Sequence, residues 1–348
     1  MVISTNVTEM LGIKHPVIAA PMGPFYTTKL TIAVSEAGGL GVLSHTNLLS
    51  GETSDSVTLM EQNMLEVVEH TDKPFGFNVR TARMQPDAQA LVRRIPRFIM
   101  KHQRVREQCV YALTSAGSAR MLPSAKSWVK LRESGSQIKH FHVAPSLFFA
   151  EKCVAAGVDG LVATGFEGGG HQSYEQISTL VLLQQFREKF PDVPMVACGG
   201  FATGAGLAAA LVSGAGAVAM GTRFIASVES EFHDNYKAIV PPARAIDTTI
   251  VTGVLAPIRL WKNEYTAHHD TVKSKEEKLA QEAGLSYEDL VKINEAYEIV
   301  YKGDIQHGAV PLGQSAGLVH EIESVRDVIE RVVREAEEIL RKAPSLVR

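Results

Sequence analysis

Val158-Asp159-Gly160-Leu161-Val162-Ala163-Thr164 runs directly into Gly165-Phe166-Glu167-Gly168-Gly169-Gly170-His171. The first seven residues are a short apolar run of β-forming character, and it breaks into three consecutive glycines and a histidine. Glycines without a Cβ let the backbone approach a flat ligand closely. A histidine held beside such a surface can donate or accept a proton near neutral pH. Taken alone, the stretch reads as a Gly-rich turn with a solvated histidine. The rest of the chain changes that reading.

Working outward, short apolar runs alternate with longer amphipathic ones as far as Ala226. The runs Pro16–Ala20, Leu40–Ser44, Pro74–Asn78, Cys109–Thr114, Ile138–Val143, Gly160–Thr164, Pro194–Cys198 and Ala217–Met220 read as strands. Helices are expected over Thr28–Ala37, Val57–His70, Ala88–Arg106, Ser124–Glu133, Leu147–Ala156, Gln176–Lys189 and Gly204–Ser213. Eight β/α units over this length point to an α/β protein built as a TIM (β/α)8 barrel. A doubly wound open sheet is the competing arrangement, because alternation alone does not decide closure. Arg93, Arg94, Arg97, Lys101, Arg104 and Arg106 form a basic stripe whose helical spacing favours a solvated face over the alternative of attracting an acyl-CoA or dinucleotide phosphate.

After Ala226 the rhythm stops. Residues 1–226 are therefore expected to be the barrel core, and 227–348 a mainly helical C-terminal extension covering the barrel mouth. Its helices are expected at Glu229–Val240, which Pro241-Pro242 would close, at Lys273–Tyr301 and at Val325–Leu340. Leu279, Ala283, Leu290, Ile293, Ala296 and Val300 would share one face of the second. The third would pack outside the barrel.

Composition limits the classes of function. The chain has 348 residues, 45% hydrophobic and 21% charged, with a formal net charge of -3. That balance gives no basic surface for nucleic acid. Cys109, Cys153 and Cys198 lie far apart with no CxxC pair, so neither a disulfide framework nor a metal site is expected. No apolar run reaches the ~20 residues of a membrane span, and no signal-peptide pattern opens the chain. The cytoplasm is the expected compartment.

Two further strand ends point to a phosphate. Val196-Ala197-Cys198-Gly199-Gly200-Phe201 leads into the helix from Gly204, and Val218-Ala219-Met220-Gly221-Thr222-Arg223 repeats the arrangement one unit later. In a barrel, the loops after the last two strands and the adjoining helix N-terminus commonly hold a phosphate. Ala20-Pro21-Met22-Gly23 closes the first strand, and Met22 offers a polarizable surface for a ring. Asn78 closes the third, with both donor and acceptor for a heteroaromatic edge. Met22 and Asn78 also read as plain core at this spacing. Glu167 reads as an anchor for backbone N–H groups, with a second acid or base as the alternative. His268-His269 has no third ligand at suitable spacing and reads as a solvated turn.

These motifs together resemble the nitronate monooxygenase family. HPVIAAPM, AGGLGVLS, KPFGFNV, GFEGGGH, ACGGFATGAGLAAAL, MGTRFIAS and GQSAGLVHEI carry the resemblance in order along nearly the whole chain. It implies an FMN-dependent TIM barrel, with flavin contacts at Ala20, Pro21, Met22, Asn78, Thr164, Gly169, Gly199, Gly200, Gly221 and Thr222. Gly313-Gln314 corresponds to a tail segment that closes over the flavin, so Gln314 joins that set. His171 falls on the family's active-site histidine. Arg259 and Asn263 fall in a family segment after the barrel and are expected to hold the fold, and His233 and Tyr236 to be structural or at the mouth.

The family resembled includes nitronate monooxygenases, NAD(P)H:quinone reductases, enoyl reductases and reductases of CoA thioesters. The tail, with Tyr301-Lys302-Gly303-Asp304, is most similar to the quinone reductases; the triple glycine is more similar to the CoA-thioester reductases. The resemblance therefore favours NADH or NADPH as reductant and a quinone or enoyl/CoA thioester as small-molecule substrate. Oxidation of an alkyl nitronate with O2 is the alternative, and a non-catalytic phosphate-binding barrel the alternative from another class. A homo-oligomer is compatible with the tail helices. Val143 stands where some relatives place a lysine near the flavin, and Thr164 where they carry Asp or Gln. Loss of that lysine's charge implies either altered redox tuning or compensation by Arg223 or another cation.

Overall fold

The computed structural model describes residues 3–47, 55–82, 85–253, 256–269, 274, 276–277, 280, 283–284 and 287–347. Among the described residues there are eleven strands, in chain order β1 (Val17–Ala19), β2 (Gly41–Leu43), β3 (Phe75–Arg80), β4 (Cys109–Ser115), β5 (Lys139–Ala144), β6 (Gly160–Thr164), β7 (Gly170–His171), β8 (Met195–Cys198), β9 (Ala217–Met220), β10 (Thr248–Thr252) and β11 (Pro257–Trp261). Eight of them form one parallel sheet in the order β1-β9-β8-β6-β5-β4-β3-β2. Its two ends meet: Ile18 bridges Leu40, the Ala19 amide donates to Leu40 O at 2.9 Å, and the Leu40 amide to Val17 O at 2.9 Å. The sheet is a barrel, and the open-sheet alternative falls.

Side chains alternate across the barrel wall as the period of two requires. Ile18, Val42, Leu113, Phe141, Val162, Val196 and Ala217 turn inward as one cluster. The short helix Asn6–Leu11 joins this cluster through Val7 and Leu11 and closes the N-terminal end of the barrel. Thr5 fastens it there, donating to Gly216 O at 2.6 Å. The alternate positions Leu161, Ala163, Ala197 and Val218 pack outward against the helices.

The surrounding helices fall within a few residues of their expected bounds. The expected helix Ala88–Arg106 is in fact two, Ala88–Lys101 and Gln103–Gln108, broken where His102 adopts extended backbone. Leu91, Val92, Ile95 and Ile99 are buried beneath them, while Arg93, Arg94, Arg97, Lys101 and Arg104 are exposed, as a solvated stripe requires.

The extension departs more. Only Asp234–Ile239 of the expected helix Glu229–Val240 is helical. The residues before it turn back to cap other helices: Glu231 accepts the amides of Thr28, Lys29 and Leu30, and Glu229 accepts that of Val325. Each carboxylate sits at a helix N-terminus, where unpaired N–H groups and the helix dipole favour it. Tyr287–Tyr301 is helical. Ala296 and Val300 of its expected face are buried and Ala283 is exposed, whereas the side chains of Leu279, Leu290 and Ile293 lie outside the described residues.

Val325–Lys342 packs outside the barrel as expected. Its Val328, Ile329, Val332 and Ala336 share a core with the barrel helices. Contact is close enough that a Cβ on Gly204 would lie 2.7 Å from the Ala336 amide. The tail also contains an unexpected hairpin: β10 pairs antiparallel with β11, and β11 with β7. The Gly-rich turn thus ends as a strand, with His171 opposite Ile258 and Gly170 opposite Arg259.

Candidate active site

The C-terminal ends of the barrel strands open into a cavity of about 1310 Å³. Ala20, Pro21, Met22, Asn78, Thr164, Gly169, Gly199, Gly200, Gly221, Thr222 and His171 all line it. Gln314 does not, although Pro311 and Ser315 beside it do. Gln314 reaches the site indirectly, its amide donating to Glu167 O at 2.8 Å. Val143 lines the cavity too, so no lysine occupies that place. Arg223 is turned away: it is buried, 3.2 Å from Glu323 Oε2, and donates to Ala226 O and Glu321 O. It supplies no charge to this cavity.

The inward row of each strand decides what reaches the site. On β3 the alternation that points Phe75 and Phe77 outward leaves Asn78 inward. Asn78 is 2% exposed, and its Nδ2 donates to Leu113 O at 3.0 Å and to Ser115 Oγ at 3.2 Å. A carbonyl can only accept, so the amide orientation is fixed and Oδ1 remains as acceptor for a ligand N–H. On β8 the same row brings Cys198 to the wall, where burial pushes its thiol up to about 11 against a weaker opposing effect of the Thr164 hydroxyl.

Across the ends of β8 and β9 lies a cradle of two glycine turns and the Thr222 hydroxyl. Gly199 and Gly200 adopt φ of 93° and 89°, a conformation side chains disfavour. A Cβ on Gly199 would lie 2.8 Å from Gly165 O, so the GFEGGGH loop packs directly on this turn. Thr222 accepts the Gly313 amide at 3.0 Å, which leaves its hydroxyl proton for a ligand. These residues fit a phosphate-bearing cofactor: the turn offers backbone amides and the Thr222 hydroxyl, and a Cβ on Gly200 or Gly221 would meet no protein atom closer than 3.6 Å, which leaves room beside the backbone.

The loop carrying His171 is braced from several sides. Glu167 accepts the Thr179 amide at 3.1 Å and lies 3.1 Å from the Thr179 hydroxyl, which also reaches Gly199 O at 2.8 Å. Glu167 is therefore an anchor at a helix start, as its sequence context suggested. Gln172 Nε2 donates to Gly168 O at 2.6 Å, closing the glycine turn. Arg259 donates to Phe166 O at 2.8 Å and to Thr248 Oγ1 at 3.0 Å, which ties the hairpin to the loop. Asn263 caps Glu264–Ala267 and donates to Ile305 O and Gly308 O. Both residues hold the fold. Tyr236 lines the cavity and donates its hydroxyl to Pro311 O, pinning the tail.

Among the described residues, no cluster of three or more His, Cys, Asp or Glu is placed to hold a metal. His269 bonds to Tyr265 O and His268 is exposed. No described helix is long and apolar enough to cross a membrane. Sequence reading missed Arg80, which lies two positions beyond Asn78 in the same inward row and lines the cavity. Strand alternation was the signal that would have found it.

A closed parallel barrel whose strand ends gather glycine turns, the Thr222 hydroxyl and a braced histidine around one cavity has the architecture of a barrel enzyme. The nitronate monooxygenase family model matches residues 4–335, and the chain belongs to that family of oxidoreductases. It is 28% identical to the (3aS,4S,5R,7aS)-5-hydroxy-7a-methyl-1-oxo-octahydro-1H-indene-4-carboxyl-CoA dehydrogenase of Mycobacterium tuberculosis, over 100% of both chains. It is 29% identical to the nitronate monooxygenase of Paraburkholderia phytofirmans, over 96% of each. The solved structure of FabK from Thermotoga maritima aligns with a TM-score of 0.78 and 31% identity, covering 99% of this chain and 100% of that one.

Proposed function

We propose that the protein is an FMN-dependent reductase that passes electrons from NADH or NADPH to an enoyl/CoA thioester or a quinone. The observation that carries this reading is the cavity itself. Its roughly 1310 Å³ joins the glycine cradle to His171 and extends past Phe148 and Lys152. Typical ligand pockets occupy about 300–1,000 Å³. This one has room for a cofactor and a second large reactant, whereas a small nitronate would leave much of it unfilled. The CoA-thioester relative over the full chain length is in keeping with this.

In this reading Gly199, Gly200, Gly221 and Thr222 hold the cofactor phosphate, and Met22 and Asn78 receive its ring. Bound FMN supplies the hydride and electron chemistry. The protein's part is to orient the acceptor and to handle the proton. His171 receives the acceptor carbonyl and delivers a proton as the acceptor is reduced. The β7–β11 pairing fixes that imidazole relative to the cradle, which is the positioning such a transfer needs. The tail at Pro311–Ser315 and the helix Tyr287–Tyr301 keep water from the inner part of the cavity.

The test is His171→Ala. FMN content should be unchanged, and turnover should fall by about 10²–10⁴, the usual contribution of a positioned acid or base. Full turnover in that variant removes His171 from the mechanism.

A further inference from the structure

We propose that Arg80 forms a second anion site in the cavity, one that takes a carboxylate carried by the substrate. Arg80 ends β3, in the inward row with Asn78, and lines the cavity together with Gln85 and Tyr297. In the strand order of the barrel, β3 stands four places from β8 in either direction. The arginine therefore lies across the mouth from the Gly199-Gly200 cradle and answers to a different negative group.

Its surroundings fix the residue without neutralising it. The Arg80 amide donates to His45 Nδ1 at 3.1 Å, so the proton of that neutral ring sits on Nε2. His45, fully buried, donates it to Asp87 Oδ2 at 3.0 Å, and Gln85 donates to Asp87 Oδ1 at 2.7 Å. Asp87 is the carboxylate whose charge Arg80 feels, yet its hydrogen bonds go to these neighbours, and no ion pair joins Arg80 to an acid among the described residues. The guanidinium itself donates through Nη2 to Asn47 Oδ1, while buried Nε has no partner among the described residues.

An arginine remains protonated in proteins and carries five donors in a planar fork. A buried charge of this kind is costly unless paired. The same burial holds its pKa below the ordinary arginine value. A carboxylate matches the fork in charge and plane, and such pairs are the strong, often bidentate ones. Arg223 cannot serve, since Glu323 already pairs with it.

The test uses the FMN-loaded protein and two probes of one shape, benzoate and benzamide, with binding measured by calorimetry. Wild type should bind benzoate at least tenfold more tightly than benzamide. Arg80→Gln should weaken benzoate at least tenfold and leave benzamide unchanged, and Arg80→Lys should fall between. Benzoate no tighter than benzamide in wild type, or equal benzoate affinity in wild type and Arg80→Gln, overturns the proposal. Should Arg80→Gln fail to fold, the benzoate-to-benzamide ratio in wild type and its reduction in Arg80→Lys decide the matter, an unchanged ratio in Arg80→Lys overturning the proposal.

Discussion

Gly168 and Gly169 are neighbours in one loop, and their alanine variants should behave differently. A Cβ on Gly169 would lie 2.8 Å from the Gly313 amide and 2.9 Å from Leu312 C, both backbone atoms. The tail would have to move. It is held there by Gly313 N to Thr222 Oγ1 at 3.0 Å and Gln314 N to Glu167 O at 2.8 Å. Overpacking costs about 1–3 kcal/mol, and each hydrogen bond lost adds about 1 kcal/mol. Gly169→Ala should therefore lose about 2–4 kcal/mol, or roughly 4–8 °C in melting temperature at about 2 °C per kcal/mol for a large domain. It should also release FMN more readily, since Thr222 moves with the tail. A Cβ on Gly168 meets nothing closer than Gly165 O at 3.3 Å and Gln172 Nε2 at 3.4 Å. That strain is relieved by shifts of a few tenths of an ångström, and Gly168→Ala should cost less than about 1 kcal/mol. Thermal melts followed by circular dichroism, with flavin content after gel filtration, read both effects. Equal melting of the two variants would refute the tail contact as the reason for the glycine.

Three further outcomes follow from buried groups. Glu323 joins Arg223 at 3.2 Å and Arg331 at 2.6 Å. Glu323→Gln should destabilise by about 3 kcal/mol because it strands a buried guanidinium, while Arg331→Met should cost about 1 kcal/mol or less; urea melts of the two variants give the comparison. Burial lowers His140 to about 3 and His142 to about 4, so both are neutral in the fold. Unfolded histidines titrate near 6.5, so the unfolded chain takes up these protons first as pH falls. Stability should be fully present above about 6.5 and decline below it by up to about 1.4 kcal/mol per pH unit per histidine, with His142 levelling off near about 4 and His140 near about 3. A melting temperature flat from pH 6.5 to 4.5 would contradict this. Cys198, held at about 11, should react with iodoacetamide at pH 8 roughly a hundredfold more slowly than a free thiol; mass spectrometry of the labelled peptide reads the rate.

The barrel was legible because its strands are short apolar runs punctuated by glycine, and both faces of a parallel strand are buried. Nine of the eleven barrel residues expected to line the site sit at strand ends, where position in the sequence maps onto position at the mouth; Gly169 and His171 came from the loop after β6. The tail was harder to read. The hairpin Thr248–Thr252 and Pro257–Trp261 exists to pair with β7, a partner about 90 residues away that no local pattern reveals. Glu229 and Glu231 carry helical propensity, yet they are used as caps for helices distant in sequence. Gln314 was placed by likeness of sequence; the wall is formed instead by its neighbour Ser315, since the Gln314 amide turns toward Glu167. Arg80 was missed although alternation on β3 puts it in the same inward row, two positions beyond Asn78.

The most direct measurement is anaerobic. NADH, and separately NADPH, is added to the FMN-loaded protein, and the flavin absorbance is followed; an enoyl-CoA thioester or a quinone is then added. The expected result is rapid loss of the flavin band with one of the two nucleotides and its return on addition of the acceptor. No loss with either nucleotide, but loss with an alkyl nitronate, would contradict the reductase assignment and make the protein a nitronate-oxidising enzyme.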